Sequence, residues 1–332
     1  MKILVTMPND NVRKTFFTEE VIVKLNTLGE VIWNDTTEQY TPDQLKELLT
    51  DVDICVTGWR TGVLDKYVLE SAKNLKIVAH TGGSVFGIVS DYLYEKGIKV
   101  VSGNWIFAEC TAEGALTYIL SALRQIPRYS DNLQKGIWRE DRIDLNETLL
   151  EKKVGLVGFG LVAKNLARMI KPFNVELKVY DPFVEASVLQ EYGATQVSVE
   201  ELFSWADIVS VHVPKTPETH HMINAKLLSL MHEGALLVNT SRGAIIDEQA
   251  LGEELQAGRI KAALDVFEAE PLPADSKLRG LRNAFLIPHM AGPTIDRRKD
   301  ATLAVLSDVK RFFDGDSLKY EIKNEYAKSM TR

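Results

Sequence analysis

The chain has 332 residues, 45% of them hydrophobic, and a formal net charge of −7 at pH 7. This length predicts about two domains, on a prior of roughly 100–200 residues each, and allows a sizeable core. Because the balance is acidic and no run of Lys and Arg occurs, we expect neither nucleic acid nor an anionic membrane surface as a partner.

The N-terminal stretch MKILVTMPND holds a short apolar run closed by Pro-Asn-Asp. The run is too short for a signal peptide and is typical of a first β-strand. No apolar stretch of the sequence reaches the ~18 residues expected of a membrane span. The two cysteines, Cys55 and Cys110, lack CxxC spacing, so we expect neither a disulfide framework nor a zinc site. We predict a cytoplasmic protein with no membrane partner.

The first third of the chain alternates short apolar runs with helical patterns. The predicted strands are KILVTM, EVIW, DICVTG, KIVAHTG and IKVVSG. Between the second and third lies TPDQLKELL, where Thr41 has the position of an N-cap and Pro42 that of the first helical residue. Strands that are apolar throughout and alternate with helices indicate a parallel sheet covered on both faces.

The same alternation begins again with KVGLVGFG. Further predicted strands are VELKVYD, DIVSVHVP, GALLVNTS, KAALDVFE and NAFLIPH, and long helical patterns span residues 108–126 and 296–315. We therefore expect an α/β protein with two doubly wound parallel-sheet domains, Rossmann-like or flavodoxin-like, and a cleft between them. The expected domains are residues 1–103 plus 296–332, and residues 104–295.

The stretch GFGLVA places Gly158, Gly160, Leu161 and Val162 between a predicted strand and a helix. In that context GxGxx[GA] is typical of a dinucleotide-binding turn, which lets the backbone approach a pyrophosphate at a helix N-terminus. Asp181 ends the next predicted strand, where a carboxylate accepts hydrogen bonds from ribose hydroxyls and repels a 2′-phosphate. We therefore predict NAD rather than NADP as the cofactor.

Three later stretches, each at the end of a predicted strand, carry the groups that reduction of a 2-keto acid requires. Arg242 in NTSRGAIID supplies a guanidinium suited to a carboxylate. His289 in IPHMAG supplies a proton donor. One acid of LDVFEAEPLP, which contains Asp265, Glu268 and Glu270, would orient the imidazole. No cluster has metal-ligand spacing and no serine lies in a GxSxG turn, so we expect neither metal catalysis nor a serine nucleophile.

Taken together, these stretches resemble the D-isomer-specific 2-hydroxyacid dehydrogenases over nearly the whole chain. The resemblance rests on the glycine turn with Asp181 and on SVHVPKTPETHHMIN, NTSRGAIIDEQAL, AALDVFEAEPLP and PHMAG. It implies a nicotinamide domain inserted into a substrate domain that is made from both chain ends. It also implies a homodimer. Because no further domain follows the last predicted helix, we expect no amino-acid-binding regulatory module.

The resemblance also assigns roles to single residues. It implies that Arg242 binds the substrate carboxylate, that His289 is the general acid/base, and that Glu270 is the carboxylate paired with it. For the cofactor, it implies that Asp265 contacts the nicotinamide carboxamide and that Thr240 supplies backbone contacts. His212 is expected near the dinucleotide. Glu268 is left as a solvated turn residue.

The substrate loop departs from the family pattern. In HTGGSVFGIVSD, Phe86 and Val89 stand where acids are usual, while Gly83 and Ser84 are expected to present backbone N–H groups to the substrate. Arg60, on the loop after DICVTG, is a candidate for a distal phosphate or carboxylate or else a surface arginine. The sequence does not name the 2-hydroxy acid.

Two alternative functions stay open. One is an NAD(H)-responsive scaffold or corepressor on the same fold, without significant turnover. The other is oxidation of formate or phosphite, which calls for a smaller and more polar pocket than the sequence indicates.

Overall fold

The computed structural model describes residues 1–138 and 146–330. The chain divides into two compact units, one formed by Met1–Ala108 with Pro293–Arg332 and the other by Glu109–Gly292. Each unit contains one parallel sheet covered by helices. The predicted fold class, with two parallel-sheet α/β domains, is confirmed.

Twelve strands occur in the described residues and form two sheets. They are β1 Lys2–Val5, β2 Glu30–Trp33, β3 Ile54–Thr57, β4 Ile77–His80, β5 Lys99–Ser102, β6 Lys153–Val157, β7 Glu176–Tyr180, β8 Ala194–Gln196, β9 Ile208–Val211, β10 Leu236–Asn239, β11 Lys261–Leu264 and β12 Ala284–Leu286. The first sheet has the order β2-β1-β3-β4-β5 and the second has the order β12-β11-β10-β9-β6-β7-β8. The sequence missed β8, a three-residue edge strand too short for a periodic signal.

Most of the helices lie between successive strands of the chain, and the last two follow the last strand. They are α1 Asn11–Phe16, α2 Glu19–Asn26, α3 Pro42–Leu48, α4 Lys66–Leu69, α5 Asp91–Glu95, α6 Asn104–Leu123, α7 Ile126–Gln134, α8 Leu161–Ile170, α9 Ala186–Gln190, α10 Val199–Trp205, α11 Ala225–Leu230, α12 Glu248–Gln256, α13 Ile295–Asp314 and α14 Asn324–Ser329. At the start of α3, the Thr41 hydroxyl accepts from the Gln44 N–H and the Gln44 side chain accepts from the Thr41 N–H. This reciprocal cap confirms the predicted helix start.

Alternation along β1 shows how the first sheet is covered. Ile3 and Val5 join the cluster that includes residues of α1, α2 and α13, while Leu4 joins the cluster that includes residues of α3, α4, α5 and α14. All three side chains are fully buried. Successive side chains point to opposite faces of a strand, so an uninterrupted apolar run is what a sheet with two covered faces needs.

The second sheet reverses its strand order between β6 and β9. In one direction the chain continues through β7 and β8, and in the other through β9 to β12. In open α/β sheets, ligands bind outside the carboxyl ends of the strands at such a point. All the motifs that the sequence associates with the cofactor follow strands of this sheet.

Helix α6 is long and apolar enough to cross a membrane by length and composition, although the sequence was expected to contain no such stretch. In the structure, 44% of its 18-residue apolar window is buried inside the protein. The core helix of a soluble protein passes the same length and composition test.

Candidate active site

The turn after β6 requires glycine at its first position. Gly158 has a φ of +90°, a backbone conformation that residues other than glycine rarely adopt. A Cβ at this position would also lie 2.9 Å from the carbonyl carbon and oxygen of His212. Gly160 precedes α8 as its N-cap, with no side-chain cap, and a Cβ there would meet open space. No side chain of Gly160 therefore stands between a ligand and the backbone at the start of α8.

Asp181 lies directly after β7 and is held by the backbone. One carboxylate oxygen accepts the Phe159 N–H at 2.7 Å, and the other accepts the Phe183 N–H at 2.9 Å. Because each oxygen has a second acceptor position, the carboxylate is fixed in orientation and can still accept from sugar hydroxyls.

Two polar residues follow the neighbouring strands. The His212 N–H donates to the Val157 carbonyl at 2.7 Å, and its Nε2 lies 2.9 Å from the Ser210 hydroxyl. Burial lowers the pKa of His212 to about 4, so its imidazole is neutral at pH 7. Thr240, after β10, is only 8% exposed, and its hydroxyl has no hydrogen-bond partner among the described residues.

Asn239 organises the loop that carries Arg242. Its side chain accepts the Ser241 N–H and donates to the Arg242 carbonyl, both at 2.9 Å. One guanidinium nitrogen of Arg242 donates to the Ser241 carbonyl at 2.7 Å. The rest of the guanidinium has no hydrogen bond or ion pair within the described part of the chain, which leaves a donor face for a carboxylate.

The arginine loop packs directly on the acidic loop. A Cβ at Gly243 would lie 1.9 Å from the Phe267 carbonyl carbon, so only glycine permits this approach. Burial lowers the pKa of the Arg242 guanidinium, while the charge of Glu270 raises it. The arginine and the carboxylate therefore act on each other electrostatically.

The loop after β12 brings His289 to Glu270. The His289 Nδ1 lies 2.8 Å from one Glu270 oxygen, and the other oxygen accepts the Phe267 N–H at 3.1 Å. The side chains are 48% and 37% exposed, respectively, so the imidazole is accessible. His289 has a left-handed φ of +54°. The pair borders an open cavity of about 550 Å³ with an apolar lining that includes Leu272 and Leu286.

The three residues expected near the substrate lie in the first unit. Gly83 and Ser84 follow β4, and Arg60 follows β3, so all three lie at the carboxyl edge of that sheet. Arg60 is exposed and has a φ of +66°. A Cβ at Gly83 would approach the Phe107 ring to 3.2 Å. Among the described residues, no group of three or more His, Cys, Asp or Glu side chains is placed to hold a metal ion.

Residues 116–291 match the family model "D-isomer specific 2-hydroxyacid dehydrogenase, NAD binding domain". The chain belongs to this family. The matched region is an NAD-binding domain, and the cofactor is NAD(H).

Individual relatives agree with this assignment. The chain is 34% identical to a D-3-phosphoglycerate dehydrogenase of Methanocaldococcus jannaschii over 95% of its own length, and it spans only 58% of that relative. It is 35% identical to a hydroxypyruvate reductase of Thermotoga maritima, over 82% of this chain and 89% of the relative. A phosphoglycerate oxidoreductase structure from Rhizobium etli superposes with a TM-score of 0.81, covering 98% and 99% of the two chains at 24% identity, which shows the shared fold.

The second unit of the protein fits a dinucleotide on structural grounds. The open space at Gly160 permits close backbone approach, and the uncapped start of α8 suits a pyrophosphate. The Asp181 carboxylate keeps acceptor positions for a ribose. The Thr240 hydroxyl is a buried polar group without a protein partner among the described residues, which a polar ligand group would satisfy.

Asp265 has contacts that the sequence did not predict. It is 1% exposed, and its two oxygens accept the N–H groups of Met290 at 2.7 Å and Ala291 at 2.9 Å. Its own carbonyl accepts the His289 N–H at 2.8 Å. The side chain thus holds the segment that carries the imidazole, a role with no signal in residue spacing.

Glu268 is not a purely solvated turn residue. One of its oxygens lies 2.7 Å from the His221 Nε2 and accepts the Glu248 N–H at 3.1 Å. The Glu268 N–H donates to the Glu248 carboxylate at 3.0 Å. These contacts form the Glu268 bracket, which joins the acidic loop, the start of α12 and the loop of His221. The sequence offers only a weak signal for it, an acid at the first position of a helix.

Proposed function

We propose that the protein interconverts a 2-keto acid and a D-2-hydroxy acid with NAD(H). The observation that carries this proposal is the 2.8 Å contact between His289 and Glu270 next to a loop that presents Arg242. The three side chains supply a proton donor, a carboxylate that orients it and a binding group for an anion.

Each group has a defined task. Arg242 binds the substrate carboxylate through the donors that the protein leaves open. Because Glu270 engages Nδ1, Nε2 is the nitrogen of His289 that donates a proton to the carbonyl oxygen during reduction and removes it during oxidation. When bound, NADH would supply the hydride that the substrate C2 receives.

The cofactor is assigned to residues that follow successive strands of the second sheet. We assign it to Gly158, Gly160, Leu161, Val162, Asp181, His212, Thr240 and Asp265. Asp181 favours NAD over NADP because its charge repels a 2′-phosphate. Strong preference for NADPH in steady-state assays would contradict this assignment.

Residues 1–103 plus 296–332 are proposed as the substrate domain, and residues 104–295 as the NAD-binding domain. Gly83 and Ser84 supply backbone N–H groups to the substrate, and Arg60 contacts a distal anionic group when the substrate has one. The enzyme is proposed to act in the cytoplasm as a homodimer, without nucleic-acid or membrane partners. Light scattering of the purified chain tests the dimer.

The direct test is NADH oxidation with a panel of 2-keto acids. Suitable substrates are glyoxylate, pyruvate, hydroxypyruvate, phenylpyruvate, branched 2-keto acids and phosphohydroxypyruvate. We expect turnover that depends on the substrate and follows Michaelis–Menten kinetics. NADH binding without turnover of any of these acids would favour the scaffold function instead.

A further inference from the structure

The segment that carries His289 packs against helix α6. A Cβ at Gly114 would lie 2.9 Å from the Ala291 Cα, so α6 touches the backbone of this segment directly. Tyr118 lies four residues later on the same face of the helix. Its hydroxyl donates to Asp265 at 3.3 Å, and its ring packs edge-on against Phe285 at a centroid distance of 6.0 Å.

Tyr118 completes a set of donors around one buried carboxylate. The oxygen of Asp265 that accepts from the tyrosine also accepts the Met290 N–H, and the other oxygen accepts the Ala291 N–H. Burial, together with the charge of Asp265, raises the pKa of Tyr118. The hydroxyl therefore stays protonated and remains a donor throughout the working pH range.

The backbone of His289 needs this support. A left-handed φ in a residue other than glycine persists only where the surroundings fix it. Here the N–H groups of Met290 and Ala291, which follow His289, donate to the Asp265 carboxylate, and Tyr118 donates to the same carboxylate. The catalytic imidazole thus depends on a hydrogen-bond chain that begins on α6.

We infer that Tyr118 is a positioning residue for His289 and acts through Asp265. This inference rests on the proposed function, in which His289 transfers the proton. Tyr118 itself contacts neither the imidazole nor the Glu270 carboxylate in the hydrogen bonds described. Its removal should therefore disturb the geometry of the proton donor and leave ligand binding intact.

The test compares Tyr118→Phe with Tyr94→Phe. Both changes remove one hydroxyl that has a hydrogen bond, and the Tyr94 hydroxyl donates to the Ile322 carbonyl at 3.2 Å in the first unit. We expect Tyr118→Phe to lower kcat about 10-fold, because small misplacements of a reacting group have large effects on rate. We expect the KM for the keto acid and the Kd for NADH to stay unchanged, and Tyr94→Phe to keep the wild-type kcat.

A double-mutant cycle tests whether Tyr118 acts on His289 through Asp265. If Tyr118 acts through Asp265, Tyr118→Phe causes no additional loss of kcat in an Asp265→Asn background. Additive losses in the double variant would overturn the inference. So would a kcat for Tyr118→Phe equal to that of Tyr94→Phe, or an effect confined to NADH binding or to thermal stability.

A second readout does not depend on turnover. The imidazole NMR signals of His289, identified by their loss in His289→Ala, should shift in Tyr118→Phe and not in Tyr94→Phe. Unchanged signals in Tyr118→Phe would contradict the inference. A wild-type protein that turns over no 2-keto acid would contradict the proposed function alone, because the NMR comparison still tests the positioning role.

Discussion

The three acids of LDVFEAEPLP occupy three different environments in the folded chain. Asp265 is buried and holds the backbone beyond His289, Glu268 forms a bracket with Glu248 and His221, and Glu270 contacts the imidazole. Residue spacing reveals a crowded acidic turn, but it does not tell these roles apart. The differences arise from which backbone N–H groups each carboxylate meets.

Removal of the proposed proton donor, His289, should affect the chemical step. We expect His289→Ala to lower kcat by about 10²–10⁴-fold, the usual contribution of a general acid. The Kd for NADH, measured by fluorescence titration, should stay near the wild-type value. An unchanged kcat with keto acid as substrate would remove His289 from the mechanism.

Loss of the Glu268 bracket should reduce stability more than chemistry. We expect Glu268→Ala to lower the free energy of unfolding by about 1 kcal/mol, because it removes the acceptor of the Glu248 N–H at the start of α12 and the contact with His221. Calorimetry measures this effect. Glu253→Ala, an acid further along the same helix whose carboxylate accepts from the Gln249 side chain, is the control. Equal melting temperatures for Glu268→Ala and the wild type would rule out the bracket.

At the scale of elements, the proposed cofactor site lies where a strand, a glycine turn and a helix meet. β6 ends at Val157, the chain changes direction at Gly158, and α8 starts after Gly160. The two glycines serve different purposes. Gly158 permits the positive φ and the close contact with His212, whereas Gly160 leaves space for a ligand. That difference allows folding and binding to be separated by mutation.

Alanine substitutions at these two glycines should have different consequences. Gly158→Ala should destabilise the protein by about 1–3 kcal/mol, because it forces a strained φ and a clash with His212. Gly160→Ala should fold normally, since its φ is −76° and its Cβ meets open space, but it should weaken NADH binding. Chemical denaturation and NADH titration of both variants check this, and wild-type affinity in Gly160→Ala would contradict the proposed pyrophosphate site.

Sequence patterns predict these elements well, and they predict the contacts between elements poorly. The five strands of the first sheet and the fingerprint of the second were predictable, because apolar runs and glycines are local signals. The Tyr118–Asp265 contact joins residues 147 positions apart, and no local pattern encodes it. β8 was missed because three residues are too few to show a period.

For the whole molecule, the buried imidazole of His80 and the half-buried imidazole of His212 link stability to pH. His80 is 1% exposed, its Nδ1 lies 3.0 Å from the Thr57 hydroxyl, and burial lowers its pKa to about 3. The pKa of His212 is lowered to about 4 by the same cause. In the unfolded chain both groups have a pKa of about 6.5.

Stability should therefore fall as the pH falls from about 6.5 toward 4. In that range the unfolded chain binds protons that the native imidazoles do not bind, so each histidine reduces the free energy of unfolding by up to about 1.4 kcal/mol per pH unit. Urea unfolding at pH 7, 6 and 5 measures the slope. His80→Asn should flatten it, and substitution of the exposed His220 by Asn should not. Equal slopes in both variants would contradict the buried, neutral state of His80.

The most direct test of the central claim follows the transferred hydrogen. NADH carrying deuterium at the transferable C4 position is incubated with the best 2-keto acid of the panel, and the product is analysed by mass spectrometry and chiral chromatography. We predict one deuterium at C2 of a D-2-hydroxy acid, formed by the wild type and slowed about 10²–10⁴-fold in His289→Ala. Product without deuterium, product of L configuration, or equal rates in the two proteins would contradict the account.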